Sequence, residues 1–186
     1  MPSTLEGRED AKLDLVAELL RRGVAVRLKA WGTSMLPSLW PGDLLAIQSA
    51  TSDEVAPGDI VLVMRDERFF VHRVVEQRQC QDCSAWITRG DAMPHDDPPV
   101  AAFELLGRVV SVQRANRSFA PCRRLSPLQC TLAWMMCHWD RFRGLTLRIH
   151  AALPQAGPMP ARQPFRGFFG TVRGILGTPP SRTSHP

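Results

Sequence analysis

Residues 31–43 have the sequence Trp-Gly-Thr-Ser-Met-Leu-Pro-Ser-Leu-Trp-Pro-Gly-Asp, which is polar at its start and rich in turn formers. Apolar runs lie on both sides of this segment, at residues 24–26 and 44–47. The pattern predicts a strand, an exposed loop, a turn and a second strand. Ser34 falls in the loop, where a rigid scaffold can present its hydroxyl group to a substrate. A turn serine can also bond only to its own backbone, so the rest of the chain must decide between these two interpretations.

Further strands are predicted on the C-terminal side of this loop. The tripeptide Pro-Gly-Asp occurs at 41–43 and again at 57–59, each time before an apolar run, and Pro-Gly fits the central positions of a type II turn. Residues 66–68, Asp-Glu-Arg, predict a hairpin turn. The predicted strands cover residues 24–29, 44–47, 60–63, 69–75, 86–88 and 104–112. The sequence therefore predicts a small, mainly β domain with tight corners.

Helical patterns flank this predicted domain. Residues 9–22 predict a short amphipathic helix that ends at Gly23. Its apolar face consists of Leu13, Val16, Leu19 and Leu20. Near the other end, helical spacing relates Leu128, Leu132, Met135, Trp139 and Phe142, and a similar pattern recurs over residues 165–176. We therefore divide the chain into an N-terminal helix (1–23), a β domain (24–114) and a basic, amphipathic tail (115–186) that is partly helical or disordered.

The charge of the chain is distributed unevenly. Residues 121–186 contain nine Arg, no Lys and a single acid, Asp140, so their net charge is +8. The whole chain has a net charge of +5, so residues 1–120 carry −3. A basic tail of this kind suits an anionic partner surface. Two interpretations stay open for its helices: docking on their own domain, or peripheral contact with a membrane interface. Nucleic acid is not expected as a partner, because the N-terminal region has too few helices for a DNA-reading module.

Compartment and cofactors follow from what the sequence lacks. Residues 1–10 are polar and acidic, so no signal peptide is expected, and no run of 18 apolar residues predicts a transmembrane helix. Five irregularly spaced cysteines do not resemble a secreted disulfide framework. Cys80 and Cys83 form only half of a zinc site. We expect a cytoplasmic protein, or one peripheral to the membrane, without a metal or other cofactor.

The chain also contains the residue types of a serine nucleophile site. A serine hydroxyl needs an adjacent base, and the base needs an orienting group. Ser34 lies in the loop, His72 lies within a predicted strand, and a later loop contains Asp91, Asp96 and Asp97. Histidine is the natural base, because imidazole changes its charge close to neutral pH. The alternative is that His72 is a strand histidine that pairs with an acid for stability alone.

Lysine is a poor candidate for the base. The chain's only lysines are Lys12 and Lys29, and both precede Ser34, so a lysine on a downstream strand is excluded. Lys29 could still lie near Ser34 in space and remains an alternative.

The order of these segments resembles that of a known superfamily. Residues 32–37 (Gly-Thr-Ser-Met-Leu-Pro), followed by Gly42-Asp43, resemble the serine box of the type I signal peptidases and the LexA-like peptidases. Residues 71–75 (Val-His-Arg-Val-Val) resemble the second box of the archaeal and endoplasmic-reticulum branch, in which histidine replaces lysine. Residues 88–91 (Thr-Arg-Gly-Asp), with Asp96-Asp97, resemble the third box. The strand at 106–110 also follows the pattern, so the resemblance spans residues 24–112.

The resemblance implies a role for each matching residue. Ser34 would be the nucleophile, His72 the general base, and Asp97 the residue that orients the imidazole, with Asp91 supporting the site or sharing that role. The backbone N–H of Ser34 would form the oxyanion hole with the Thr33 hydroxyl. Met35 would line a pocket for small substrate side chains, and the substrate would extend along a strand edge. The sequence departs from the pattern in lacking an N-terminal membrane helix and in having Ala92 where Asn is usual.

The leading hypothesis is therefore a serine endopeptidase that cuts signal or leader peptides from a peptide or preprotein substrate. A second hypothesis is a LexA-like regulator that cleaves itself. A third is a non-catalytic module on the same fold that binds peptides or membranes.

Overall fold

A computed structural model describes residues 6–79 and 84–152. Within them the chain forms three α-helices and eight β-strands. The helices are α1 (Glu6–Arg21), α2 (Pro127–His138) and α3 (Asp140–Ala152). The strands are β1 (Val26–Lys29), β2 (Leu44–Ser49), β3 (Ile60–Arg65), β4 (Arg68–Gln79), β5 (Ser84–Arg89), β6 (Val100–Ala101), β7 (Leu105–Arg114) and β8 (Arg117–Phe119). The predicted mainly β fold with a short N-terminal helix is confirmed.

The strands form one antiparallel sheet in the order β1-β2-β7-β3-β4-β5-β6, with β8 paired to β7. Each strand predicted from sequence is present. The strands that were not predicted, β6 and β8, have two and three residues, too few to show a periodic pattern. The hairpin turn predicted at 66–68 is a tight turn at Asp66-Glu67, where φ is positive at both residues (50° and 58°).

The central strand β3 explains why its sequence is a continuous apolar run. Ile60 and Leu62 lie in the apolar cluster on the sheet face that α1 covers. Val61 and Val63 point to the other face and pack in a second cluster, which contains Trp86. Because both faces of β3 are buried, the run shows no alternation of polar and apolar residues.

Helix α1 closes one face of the sheet. Its Ala17 and Leu20 are fully buried in the first cluster, and burial of a leucine side chain contributes about 1.5–3 kcal/mol. The helix begins at Glu6, three residues before the predicted start. Gly23, with φ of 78°, ends it as predicted: its N–H donates to the carbonyl of Leu20 at 2.8 Å.

The two Pro-Gly-Asp tripeptides form the same turn. Gly42 and Gly58 have φ values of 98° and 95°, as a type II turn requires at its third position. In each turn the backbone N–H of the aspartate donates to the carbonyl three residues earlier, at 3.0 Å in both cases. The buried carboxylates of Asp43 and Asp59 accept the N–H of that same earlier residue, at 2.8 and 3.1 Å. These turns fix where β2 and β3 begin.

The region predicted as a tail begins with a strand of the sheet, β8, and continues with helices α2 and α3. Strand β8 pairs with β7, so the predicted border at residue 114 falls inside the β7–β8 hairpin. The prediction of one apolar helix face from Leu128 to Phe142 is wrong. Helix α2 ends before Trp139, which is extended, and the residues of α2 that are buried are Ala133 and Met136.

Two further predictions lie outside the described residues, namely the pair Cys80 and Cys83 and the helical pattern at 165–176. In the part of the chain that the structure describes, no helix is long and apolar enough to span a membrane.

Candidate active site

One strand of the sheet and two loops bring Ser34, His72 and Asp97 together. Ser34 lies in the turns between β1 and β2, which we call the serine loop (residues 30–43). His72 lies within β4, and its side chain is largely buried. Asp97 lies between β5 and β6, in what we call the acid loop (residues 90–99). The predicted nucleophile, base and orienting acid are therefore neighbours in space.

The three side chains form one hydrogen-bonded row. The distance from His72 Nε2 to Ser34 Oγ is 3.0 Å, and His72 Nδ1 lies 2.6 Å from Asp97 Oδ2. The carboxylate of Asp97 can only accept, so we assign the proton of the neutral imidazole to Nδ1. Nε2 is then free to accept the hydroxyl proton of Ser34. This is the geometry that a general base needs to activate a serine.

Thr88 at the end of β5 holds Asp97 in place. Its hydroxyl donates to Asp97 Oδ2 at 2.7 Å, so one carboxylate oxygen accepts from both Thr88 and His72. The backbone N–H of Asp97 also donates to the carbonyl of Thr88 at 2.8 Å. Thr88 is buried. Side chain and main chain together restrict Asp97 to one position beside the imidazole.

Asp91 lies in a separate cluster behind this row. Its two oxygens accept from Nε and a terminal nitrogen of Arg73, each at 2.8 Å, and one of them also accepts the Ser38 hydroxyl. Arg73 donates further to the carbonyls of Gly58 and Cys122, both at 2.8 Å. We call Arg73, Asp91 and Ser38 the arginine cluster. It ties the serine loop, the acid loop and β4 together.

The remaining acid candidate, Asp96, lies elsewhere. Its carboxylate is half-exposed and is 3.3 Å from the guanidinium of Arg89. Of the three aspartates, the structure places only Asp97 against His72. The catalytic role of Asp97 stays a prediction.

The serine loop and the acid loop approach each other very closely at Gly90. The Ser34 carbonyl accepts the N–H of Ala92 at 2.8 Å. A Cβ atom at Gly90 would lie 2.7 Å from the Ser34 carbonyl oxygen and 3.0 Å from Ser34 Cβ. Glycine is therefore required here by the close approach of the two backbones.

A third apolar cluster supports both loops from below. Leu36 of the serine loop and Ala92 of the acid loop are buried against Met136 of α2. Phe142 and Leu147 of α3 pack against the same cluster. The two C-terminal helices thus dock on the domain through one of their faces, directly behind the loops that carry Ser34 and Asp97.

An ion pair anchors the far end of the acid loop. Arg65 of β3 binds both oxygens of Glu104, at 2.6 and 2.8 Å, and donates to the carbonyls of Pro98 and Pro99 at 3.3 and 2.7 Å. The hydrogen bonds from Arg65 lower the pKa of Glu104 below its ordinary value, against the opposing effect of its burial. The residues that follow Asp97 are therefore held by a fixed charge.

An apolar groove of about 840 Å³ opens onto the site. Ser34 and His72 line it, together with the buried Met35. Lys29 also lines it, with its ammonium group 5.3 Å from the centre of the Trp31 ring. Thr33 is half-buried beside Ser34, and its carbonyl accepts the Leu36 N–H at 3.3 Å. The predicted roles of Thr33 and the Ser34 N–H in an oxyanion hole stay predictions.

Sequence reasoning missed several residues of the site. Arg73 is adjacent to His72 in the Val-His-Arg-Val-Val segment, and Thr88 opens the Thr-Arg-Gly-Asp segment, so both were within the quoted patterns. No residue pattern identified Ser38 or Met136 as part of the site. Ser38 contacts Asp91, which is 53 positions away, and Met136 lies on a later helix. Within the described residues, no group of three or more His, Cys, Asp or Glu could hold a metal ion.

The antiparallel sheet and the hydrogen-bonded Ser-His-Asp row between its loops agree with the signal-peptidase-like arrangement that the three boxes implied. A family model described as Peptidase S24-like matches residues 1–110, so the chain belongs to this family. The match confirms the resemblance inferred from the three boxes. No curated protein matches the chain. The match ends within β7, so β8, α2 and α3 lie outside it.

Proposed function

We propose that the chain is a serine endopeptidase that cleaves a leader or signal peptide. The observation that carries this proposal is the row in which His72 bridges Ser34 and Asp97 at 3.0 and 2.6 Å. Two members of the row, Ser34 and His72, line the apolar groove of about 840 Å³. Membership of a serine peptidase family agrees with it.

In the proposed mechanism, Ser34 Oγ attacks the carbonyl carbon of the scissile peptide bond while its proton passes to His72 Nε2. Asp97 stabilises the imidazolium that forms. The proton then moves from Nε2 to the leaving amine, and an acyl group remains on Ser34. Water adds to this ester with His72 again as base, and the acid product leaves. The N–H of Ser34 and the hydroxyl of Thr33 would face the developing oxyanion.

The strands around the groove suit an extended substrate. β1 lies at one edge of the sheet and, among the described residues, pairs with β2 alone. The N-terminal half of β4, residues 68–72, pairs with β3, whereas the pairing of β4 with β5 begins at Arg73. Residues from both segments line the groove. A peptide strand can therefore add its backbone hydrogen bonds to a free edge, which is the β-augmentation mode of peptide binding.

The test is cleavage of a library of leader-like peptides by the wild type and by Ser34→Ala and His72→Ala, with products identified by mass spectrometry. We expect each variant to lose about 10³-fold or more in rate, since removal of either group stops the proton transfer. Ser118→Ala on β8 and His138→Ala on α2 are matched controls, because both residues are exposed and outside the groove. Cleavage that survives Ser34→Ala would refute the proposal.

The same experiment separates the two other hypotheses. If the purified wild type cuts itself and leaves added peptides intact, a self-cleaving regulator becomes the better account. If the wild type cuts nothing but binds peptides, the chain is a binding module on a peptidase fold. Mass spectrometry of the incubated protein distinguishes these outcomes.

We further propose peripheral membrane contact through the C-terminal helices. The outer side of α3 exposes Leu145 and Ile149, with the exposed Arg141 and Arg148 beside them. Basic and apolar side chains on one helix surface suit an anionic bilayer. Sedimentation with vesicles that contain phosphatidylserine, compared with neutral vesicles, tests this contact. Failure to sediment with either kind of vesicle would contradict the contact, and equal sedimentation with both would contradict the role of the arginines.

A further inference from the structure

The groove beside Ser34 has an exposed apolar rim. Leu15 of α1, Trp31 of the serine loop and Phe70 of β4 are 60%, 81% and 41% exposed, and all three line the groove. Its deeper wall is also apolar and includes Val16 and Leu62. Large apolar side chains gathered around one concavity usually mark a binding surface. The rim is therefore suited to apolar side chains of a ligand.

The charges of this groove have a single sign. Besides His72, the charged residues lining it are Lys12 of α1, Lys29 of β1 and Arg68 of β4. Lys12 and Lys29 are the only lysines of the chain. The surrounding residues 1–120 carry a net charge of −3, so the basic rim runs against the charge of its own region. Basic groups on an apolar groove attract a ligand that carries a carboxylate.

From these two features, we infer that the groove between α1, β1 and β4 selects a peptide segment that combines apolar side chains with at least one acidic side chain. This inference rests on the proposed peptidase function and names the substrate class for the same site. Extended peptides place alternate side chains on opposite sides. Apolar side chains would enter between Leu15 and Phe70, while a carboxylate stays at the rim near Lys12, Lys29 or Arg68.

Binding is measured first, without cleavage. Ser34→Ala is titrated with fluorescein-labelled Leu/Ala peptides that differ only in carrying Glu, Gln or Lys. An exposed ion pair is worth about 0.2–1 kcal/mol, so we expect the Glu peptide to bind about 1.4- to 5-fold more tightly than the Gln peptide and more tightly still than the Lys peptide. The difference should shrink at about 0.5 M salt, where exposed charges are screened. Equal affinity of the three peptides would overturn the inference.

Matched variants then locate the effect. In the Ser34→Ala background, Lys12→Gln/Lys29→Gln should remove most of the preference for Glu. Arg21→Gln/Arg27→Gln takes one charge from α1 and one from β1 in the same way, but outside the groove, and should leave the preference intact. Loss of the preference in both double variants would mean that net charge, and not the groove, selects the peptide.

The apolar half of the inference has its own pair. Leu15→Ser should weaken binding of the leucine-containing peptides about 3-fold or more, because an apolar side chain of the peptide would lose its contact with Leu15. Val24→Ser, at an exposed apolar residue just after α1, should have no effect. Unchanged binding in Leu15→Ser overturns this half of the inference. Circular dichroism confirms that the variants are folded.

Cleavage by the wild type keeps this inference separate from the proposed function. If the wild type cuts Glu and Lys peptides with equal KM, the peptidase stands and the inference fails. If Ser34→Ala prefers the Glu peptide but the wild type cuts none of the peptides, the inference about binding stands and the peptidase fails.

Discussion

His72 and Arg73 are neighbours on β4, and their side chains, on opposite faces of the sheet, each contact the same two loops. Each connects the serine loop to the acid loop: His72 contacts Ser34 and Asp97, and Arg73 contacts Ser38 and Asp91. His72 faces the groove. Arg73 faces the backbone carbonyls of Gly58 and Cys122 and the carboxylate of Asp91, whose side chain is only 3% exposed.

The two side chains differ in whether they can exchange a proton. A guanidinium stays charged and fills its donors with fixed acceptors, which makes it a structural tie. An imidazole can take up and release a proton near neutral pH, and here one of its nitrogens faces a hydroxyl. One strand therefore carries both the proposed general base and the arginine that ties the serine loop to the acid loop.

The largest effect is expected from Asp97→Asn. The amide cannot fix the imidazole in the required tautomer or stabilise its charge, so we expect peptide cleavage to fall about 10³- to 10⁴-fold. Stability should change by less than about 1 kcal/mol, because Asp97 is partly exposed and its side chain keeps its shape. Single-turnover cleavage and urea unfolding measure the two quantities. Asp96→Asn, one residue away on the half-exposed side, is the control and should retain activity.

Asp91→Asn should affect the other side of β4. It leaves the charge of Arg73 buried without its partner, and such a change costs about 3–5 kcal/mol of unfolding free energy. The loss would appear as a lower urea midpoint at an unchanged slope. A variant that is as stable as the wild type but inactive would contradict this assignment, and would mean that Asp91 shares the catalytic role proposed for Asp97.

Gly90→Ala tests the point where the two loops touch. A methyl group would lie within 3.0 Å of two atoms of Ser34, and overpacking of this kind costs about 1–3 kcal/mol. Activity should fall as well, because Ser34 would have to move. Gly144→Ala in α3 is the matched control, because a Cβ there meets nothing within 4 Å and alanine favours a helix. Equal thermal midpoints for the two variants would show that the contact is unimportant.

The smallest effect is expected at the end of the acid loop. Glu104→Gln removes the ion pair with Arg65 and should lower the unfolding free energy by about 1–2 kcal/mol at pH 7. The pKa of Glu104 is lowered in the folded state, so its contribution is present above its ordinary value of 4.5 and is lost as the pH falls through the lowered pKa. Urea unfolding of both proteins from pH 7 to pH 3 should therefore give converging stabilities. A difference that grows toward low pH would have the wrong sign.

The residues on the two sides of β4 differ in how far the sequence predicts them. Ser34, His72 and Asp97 could be predicted as a group because each lies in a segment with its own residue pattern, and the strands around them show the expected runs. Helix boundaries shifted by a few residues, as end-fraying allows. The single apolar helix face in the tail failed because periodicity alone does not reveal the extended residue Trp139.

The parts that escaped prediction are contacts between distant segments. The sequence near Asp91 does not tell whether it meets His72 or Arg73, since adjacent strand residues point to opposite faces and register decides which loop each one meets. Met136 is an ordinary helix methionine until the fold places it under Leu36 and Ala92. Such contacts depend on the folded arrangement as a whole.

The contact of Met136 with both loops has a consequence for motion. Local opening of α2 would uncover Leu36 and Ala92 at the same moment, so backbone amides of the two loops should exchange with solvent together, at a rate set by a helix outside the family match. Any ligand or surface that holds α2 and α3 against the domain would then slow this exchange. The reactivity proposed for Ser34 would be coupled in this way to whatever the C-terminal helices contact.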